Sequence, residues 1–248
     1  MPLQGSSSSA SPACRPVADD PLSTNWGYGP NENAFNASIT RAVQERWANP
    51  DFPLDPLLFK ALVAVESAFD PAAVSPAGAA GLVQLMPGTA LRHGLSLSPV
   101  DERLIPEKAL PVGVAVLAEK HYVITHPEEF ALLEEEPGGS PWGEKVARAY
   151  RQYGVPSGDA LWRLTLGAYN GGGGTVLRAM ARAYDQGLDP RLWSNLIEPL
   201  DRPTRSPLYQ AVREVYGDEQ AARKYREMSR YPGRILALRD RGRGRSSG

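Results

Sequence analysis

Residues 55–68 read DPLLFKALVAVESA, and this stretch predicts a helix whose apolar face ends in a carboxylate. Asp55 followed by Pro56 is a helix start signal, because the Asp side chain can cap free backbone N–H groups and proline fits the first helical position. Four residues at helical spacing share one face: Phe59, Leu62, Val63 and Glu66. On that apolar face partial desolvation would raise the pKa of a carboxyl group and suit Glu66 to general acid catalysis near neutral pH. On this helix alone, a glutamate that simply reaches solvent is the alternative.

Helical periodicity extends over most of the remaining chain, whereas strand alternation and hairpin turn signals are nearly absent. The sequence therefore predicts an all-α (mainly α) protein with one helical domain over residues 36–239. Residues 1–35, rich in Ser, Pro, Asn and Gly, are expected to form a disordered tail or linker, and residues 240–248 a basic disordered tail. The helices are predicted over residues 36–47, 57–68, 81–86, 89–93, 106–126 with a kink at Pro111, 142–153, 159–170, 175–186, 207–216 and 218–229.

Composition excludes several classes of function. The net formal charge of -1 gives no reason to expect a nucleic-acid partner. The single cysteine, Cys14, rules out an internal disulfide framework. We find no apolar run of signal-peptide length near the N-terminus and none of the ~20 residues that a membrane span needs. His93, His121 and His126 form no ligand cluster, so we expect neither a metal nor another cofactor, and nothing in the chain demands more than a monomer.

The glutamate at the end of the first helix also opens a long motif. Residues 66–90 read ESAFDPAAVSPAGAAGLVQLMPGTA. This stretch resembles the signature of the soluble lytic transglycosylase (SLT) family of the lysozyme-like superfamily, which reads E-S-x-F-x-P-x-A-x-S-x-x-G-A-x-G-L-M-Q-L-M-P-x-T-A. Val83 stands where a Met is common. A match of this length is far more specific than a short motif, and it implies a lysozyme-like helical fold.

Two later stretches resemble further blocks of the family. Residues 168–176, AYNGGGGTV, are similar to A-Y-N-A-G-x-G-x-V, although a glycine run can also simply end a helix. Residues 227–236, EMSRYPGRIL, fit the spacing of E-T-x-x-Y-V-x-x-I/V-L but depart from it at Met228 and Pro232, which leaves a surface Glu and a packing Tyr as the alternative. A fourth block, N-I-x-x-G, is degraded at residues 109–113. The resemblance covers about residues 60–239, and the segments 126–160 and 178–222 look long for the family, as insertions that reshape a glycan groove would.

The resemblance implies a peptidoglycan lytic transglycosylase, a carbon–oxygen lyase acting on polysaccharide. Such an enzyme cleaves the MurNAc-β-1,4-GlcNAc bond and leaves 1,6-anhydroMurNAc ends, with a single Glu as acid and then base. Glu66 would be that catalytic residue, and Asp70, just before Pro71, more plausibly orients a turn. The resemblance also implies seven substrate-binding residues: Ser75, Gln84, Met86, Tyr169, Asn170, Glu227 and Tyr231.

Three other functions stay open at this point. A goose-type-like muramidase would use water, need a second carboxylate or a positioned water molecule, and leave a reducing end. A non-catalytic component could dock on the wall within a phage particle or an envelope-spanning secretion assembly, and a chitin-directed enzyme is the third alternative. The expected partner is the glycan strand of peptidoglycan. The expected location is the cell envelope, in the periplasm or cell wall, with a virion-associated protein or a missing leader as the explanation for the lack of a visible signal peptide.

Overall fold

The computed structural model describes residues 20–130 and 141–244. Within these residues the chain is helical, and its β pairing is limited to two isolated bridges, Val74 with Ala80 and Ala80 with Leu85. The predicted all-α class is therefore confirmed. The described helices are α1 (Asn36–Arg46), α2 (Pro56–Ser67), α3 (Pro87–Arg92), α4 (Pro106–Thr125), α5 (Pro141–Tyr153), α6 (Gly158–Gly171), α7 (Gly173–Asp185), α8 (Trp193–Ile197), α9 (Pro207–Tyr216) and α10 (Asp218–Arg243).

Helix α2 begins and ends as its sequence dictates. The Asp55 carboxylate accepts a hydrogen bond from the Leu57 N–H at 2.8 Å, and Pro56 occupies the first turn. The helix ends at Ala68, whose left-handed backbone (φ 52°) turns the chain into the loop that follows. Residues 57–64 are all buried, so α2 is the central helix of its part of the core.

Two hydrophobic clusters meet along helices α6 and α10. Leu164 of α6 belongs to one cluster and Leu166 to the other. Helix α10 likewise contributes Met228 to the cluster around α7 and α9, and Tyr231 and Ile235 to the cluster around α2. Helix α10 therefore lies across both clusters and contacts α2, α6 and α9.

The prediction of a disordered tail over residues 1–35 is wrong for residues 20–35. Leu22 and Trp26 are buried in the core, and the Glu32 carboxylate accepts hydrogen bonds from the Trp26, Gly27 and Tyr28 N–H groups. This segment covers the side of α2 that carries Lys60, whose ammonium donates to the Leu22 carbonyl at 2.6 Å. Burial lowers the pKa of Lys60 to about 8 despite the opposing charges of Glu32 and Asp20. Cys14 and the rest of the predicted tail lie outside the described residues.

Two predictions about the last helix are also wrong. The helix does not end at Ser229, and residues 240–243 belong to it and do not form a disordered tail. Helix α10 continues through Pro232 to Arg243, although an internal proline removes a backbone hydrogen bond. Tertiary contacts offset that loss: the buried Arg239 guanidinium binds the Asp159 carboxylate at 2.8 and 3.0 Å, and Arg243 binds Asp55 at 2.8 Å. The predicted tail over residues 245–248 lies outside the described residues.

The long segments between the family blocks build part of the second cluster. Helix α5 packs on α7, and α9 packs on α7 and α10. Tyr150 of α5 is buried and donates to the Ile124 carbonyl at 2.7 Å. Residues 131–140 lie outside the described part of the chain.

Replacing His121 by Phe is expected to make the protein less sensitive to acid. His121 is buried among Trp47, Phe52 and Trp162, and burial, with a smaller contribution from the charge of His126, lowers its pKa to about 4. The unfolded chain takes up this proton near pH 6.5, so the free energy of unfolding falls as the pH decreases from about 6.5 to about 4. The His121 contribution to that fall is on the order of 3 kcal/mol. Urea unfolding at several pH values measures it, and equal pH dependence in wild type and His121→Phe would contradict this assignment.

Candidate active site

Glu66 lies in the last turn of α2 and meets α10 at its side chain. Its Oε1 atom accepts a short hydrogen bond from the Tyr231 hydroxyl. Burial raises the pKa of Glu66 to about 7; the Tyr231 hydrogen bond lowers it, the charge of Glu227 raises it, and the charges of Lys224 and Arg234 lower it. A carboxyl group with this pKa populates both protonation states near neutral pH, so it can give up a proton and take one back.

Tyr169 connects α6 to the loop that follows α2. Its hydroxyl donates to the Val83 carbonyl at 2.9 Å. Burial, together with the charge of Glu66, raises the pKa of Tyr169 well above its usual range, and burial does the same for Tyr231. Both hydroxyls therefore remain neutral hydrogen-bond donors beside Glu66.

A polar network joins the end of α6 to α10. The Asn170 amide donates to Glu227 Oε1 at 2.7 Å. The Lys224 ammonium donates to the same Oε1 atom at 3.0 Å, to the Asn170 carbonyl at 2.9 Å and to the Asn170 side-chain oxygen at 3.2 Å. Glu227 is held by a cation and an amide. The positive charge of Lys224 therefore partly offsets the effect of the Glu227 carboxylate on the pKa of Glu66.

Polar side chains of the loop between α2 and α3, together with the last residue of α2, hold this loop in place. The Ser67 hydroxyl donates to the Leu82 carbonyl at 2.9 Å, and the Ser75 hydroxyl accepts from the Ala79 N–H at 3.0 Å. The Gln84 amide donates to the Ala73 and Gly81 carbonyls at 3.1 and 2.9 Å. Met86 follows with 45% of its surface exposed. Ser75 and Gln84 therefore stabilise the shape of the loop through these contacts with its backbone.

The prediction of a short helix over residues 81–86 is wrong. This stretch forms turns, with Ala80 and Leu85 exchanging backbone hydrogen bonds at 3.0 Å and Gln84 in the left-handed region at φ 47°. Gly81 has φ 79°, and a Cβ atom there would come within 1.8 Å of the Arg103 carbonyl oxygen. The Arg103 guanidinium in turn donates to the carbonyls of Gly78 and Leu85 at 2.7 and 2.9 Å. Close packing against Arg103 therefore selects this looped form over a helix.

A cavity of about 550 Å³ lies along α10, and its walls include Tyr231, the hydrogen-bond partner of Glu66. The residues that line it all belong to α10: Arg223, Arg226, Glu227, Arg230, Tyr231 and Arg234.

Comparison of the sequence with known proteins shows its family. The Transglycosylase SLT domain model matches residues 46–191, which is more than half of the chain. The chain belongs to the SLT transglycosylase family. The match includes α2, the loop after it and the Tyr169–Asn170 pair, and it ends before Glu227 and Tyr231.

Curated relatives agree with this membership. Membrane-bound lytic murein transglycosylase F 2 of Alkalilimnicola ehrlichii is 30% identical over 200 residues, which are 81% of this chain and 35% of that protein. Endo-type membrane-bound lytic murein transglycosylase A of Klebsiella pneumoniae is 35% identical over 101 residues, which are 38% of this chain and 49% of that protein. The chain thus aligns with between about a third and a half of the length of these relatives. None of the helices over 20–130 and 141–244 is both long and apolar enough to cross a membrane.

In this member of the SLT family, two of the sequence-predicted residues contact each other across 165 positions: Glu66 and Tyr231. Asn170 and Glu227 form a second pair, and Tyr169 reaches the loop of Gln84 and Met86 through Val83. Ser75 lies in the same loop, with its hydroxyl turned to the loop's own backbone.

Lys224 was not predicted from the sequence, although it bridges Asn170 and Glu227. Its position three residues before Glu227 places the two on one helical face, and that spacing was the available signal. Asp70 accepts from the Ala72 N–H at 2.9 Å, as a turn-forming Asp does. Among the described residues, no three His, Cys, Asp or Glu side chains are grouped so that they could hold a metal ion.

Proposed function

We propose that this SLT domain is a lytic transglycosylase that cleaves the MurNAc-β-1,4-GlcNAc bond of peptidoglycan, with Glu66 as both acid and base. The observation that carries the proposal is the Glu66 carboxyl group, whose pKa of about 7 is set by burial and by the Tyr231 hydroxyl. The names of the murein transglycosylase relatives support the substrate. The proposed location is accordingly the cell envelope, where peptidoglycan lies.

The proposed reaction has two proton transfers through Glu66. Protonated Glu66 gives its proton to the glycosidic oxygen, so the bond from that oxygen to C1 of MurNAc breaks and GlcNAc leaves with a 4-hydroxyl group. The 2-acetamido group of MurNAc stabilises the positive charge at C1. The Glu66 carboxylate then removes the proton of the MurNAc 6-hydroxyl while that oxygen bonds to C1. The product is 1,6-anhydroMurNAc, and the reaction consumes no water and requires no cofactor.

The surrounding residues take supporting roles in this proposal. Tyr231 holds the Glu66 carboxyl through its hydrogen bond. Tyr169 and Asn170 orient the sugar, and the loop residues Ser75, Gln84 and Met86 line the groove. Glu227 closes the far side, anchored by Lys224.

One observation favours a second candidate function. Glu227 is a second carboxylate close enough to influence Glu66, and glycoside hydrolases use such a pair to activate water. Its hydrogen bonds from Asn170 and Lys224 favour a structural role, because both hold the same carboxylate oxygen, Oε1, and fix the side chain against α6. The two functions differ in their products, since a hydrolase leaves a reducing end.

The masses of the released sugars test the proposal. Purified peptidoglycan digested by the protein is expected to yield disaccharide products about 18 mass units lighter than their hydrated forms, because an internal hydroxyl replaces water. Reducing-end products would assign the domain to the hydrolases. No release by the wild type would favour a docking component of a phage or secretion assembly.

Replacing Tyr231 by Phe is expected to shift the pH dependence of the reaction upward. The Tyr231 hydrogen bond lowers the pKa of Glu66, so its loss raises that pKa above about 7 and keeps the acid protonated to higher pH. The decline of kcat/KM on the alkaline side should move to higher pH, and the rate at the optimum should fall by about ten- to a hundredfold as the carboxyl loses its orientation. Steady-state rates from pH 5 to 9 measure both effects.

Tyr150→Phe is the matched control for this variant. It also removes a buried tyrosine hydroxyl, which donates to the Ile124 carbonyl, but it lies in α5 among the residues of the second cluster. Its alkaline decline should coincide with that of the wild type. Equal profiles for wild type and Tyr231→Phe would show that the hydrogen bond does not set the pKa of Glu66.

A further inference from the structure

One face of α10 carries four arginines in a row beside the candidate site. Arg223, Arg226, Arg230 and Arg234 follow each other at spacings of three and four residues, so they lie on one stripe of the helix. All four are exposed, and all four line the cavity whose wall includes Tyr231. The whole of α10 carries eight basic and four acidic residues, whereas the entire chain has a net charge of -1.

The row lacks partners of its own. Within residues 20–130 and 141–244, no ion pair joins any of the four guanidinium groups to a carboxylate, and Arg226 donates only to the backbone carbonyl of Ala222. Neighbouring like charges at these spacings destabilise a helix slightly. Lys224, in contrast, is engaged by Asn170 and Glu227. The four arginines are therefore free to bind an anionic ligand that enters the cavity.

The position of the row points to part of the substrate. The row lines the same cavity as Tyr231, the hydrogen-bond partner of Glu66, and the charge of Arg234 at one end of the row lowers the pKa of the Glu66 carboxyl group. Arg226 and Arg230 also line a second cavity of about 670 Å³, whose other walls are mostly apolar and include Ile197, Leu200 and Tyr225. A ligand that follows the arginines thus leaves the site along a surface with guanidinium groups on one side and apolar side chains on the other.

We infer that this arginine row binds the peptide stem of peptidoglycan through the carboxylates of the stem. Arginine forms paired, charge-assisted hydrogen bonds with carboxylates, which suits it to free α- and side-chain carboxyl groups. The row extends about 16 Å along the helix, and an extended stem of four residues spans about 13 Å. The small apolar side chains of the stem fit the apolar cavity beside Arg226 and Arg230. The inference rests on the proposed function, because the stem is attached to the sugar that Glu66 would act on.

A binding experiment tests the inference without turnover. The Glu66→Gln protein is sedimented with intact sacculi free of secondary wall polymers, and with the same sacculi after an amidase has removed the stems. We expect about tenfold tighter binding to the intact sacculi, the gain of a few charge-assisted hydrogen bonds after desolvation. Adding Arg226→Gln and Arg230→Gln should bring the ratio of the two affinities close to one, whereas adding Arg148→Gln and Arg151→Gln, two exposed arginines of α5, should preserve it.

Two outcomes would overturn the inference. One is equal affinity of the Glu66→Gln protein for intact and stripped sacculi, and the other is a preference that survives Arg226→Gln and Arg230→Gln. Because the assay measures binding alone, it gives its answer even if the protein releases no anhydro sugars. Conversely, anhydro products with no preference for stems would leave the proposed function standing and remove the stem site.

Discussion

Replacing Glu66 by Gln is expected to lower turnover on purified peptidoglycan by about a thousand- to ten-thousandfold. Glutamine keeps the size of the side chain and can still accept from the Tyr231 hydroxyl, but it can neither give nor take a proton. Both proton transfers of the proposed reaction are thereby lost. Release of soluble muropeptides per unit time measures the effect.

The fold of Glu66→Gln should remain intact and become no less stable. The folded-state pKa of Glu66 is raised from 4.5 to about 7, so the folded state binds more protons in this range and stability falls as the pH rises from about 4.5 to about 7. A neutral glutamine removes that loss, and thermal unfolding at pH 8 should give an equal or higher Tm. Glu45→Gln, at an exposed position of α1, is the control for the change of charge. A Glu66→Gln protein with more than a tenth of wild-type turnover would exclude Glu66 as the acid.

Replacing Gly81 by Ala is expected to lower the free energy of unfolding by about 3 to 5 kcal/mol. The added Cβ would stand 1.8 Å from the Arg103 carbonyl oxygen, and the backbone at φ 79° is unfavourable for alanine. Because the contact is with backbone, the loop after α2 must move away from residue 103. Val83, which accepts the Tyr169 hydrogen bond, lies two residues further on, so activity should fall as well.

Gly78→Ala separates the effect of the steric contact with Arg103 from the effect of the backbone strain. Gly78 also has a positive φ of 86°, but a Cβ there meets nothing within 4 Å. It should cost only the backbone strain, about 1 to 2 kcal/mol. Urea unfolding of both variants gives the difference, and similar losses for Gly81→Ala and Gly78→Ala would mean that the loop can move away from Arg103 at little cost.

Local patterns predicted the helices whose ends carry strong signals. Helix α2 begins at the Asp55–Pro56 pair, and α9 lies over the predicted residues 207–216, with the Ser206 side chain as its cap. The segments that sequence patterns misassigned are those whose structure depends on distant partners. Residues 20–35 lack periodicity because their order comes from Glu32, which binds three backbone N–H groups, and from the packing of Trp26 beside Lys60. Helix α10 passes Pro232 because its far end is tied to Asp159 and Asp55.

The candidate site likewise contains one residue that local sequence could predict and others whose role depends on the folded chain. Glu66 could be predicted from the apolar face of α2 and from the motif that follows it. Its neighbours on α10 lie beyond the end of the family match, and only the folded chain brings the Tyr231 hydroxyl to the carboxyl group. Lys224 and the arginine row appear in the sequence as ordinary basic residues of a helix. Their significance depends on which face of α10 borders the cavity, and that is a property of tertiary packing.

The most direct test of transglycosylation through Glu66 is the mass of the products released in isotopically labelled water by the wild type and by Glu66→Gln. We expect the wild type to release 1,6-anhydro sugars that carry no label from the solvent, and Glu66→Gln to release almost none. Reducing-end products that carry the label, or anhydro products from both proteins in similar amounts, would contradict the account.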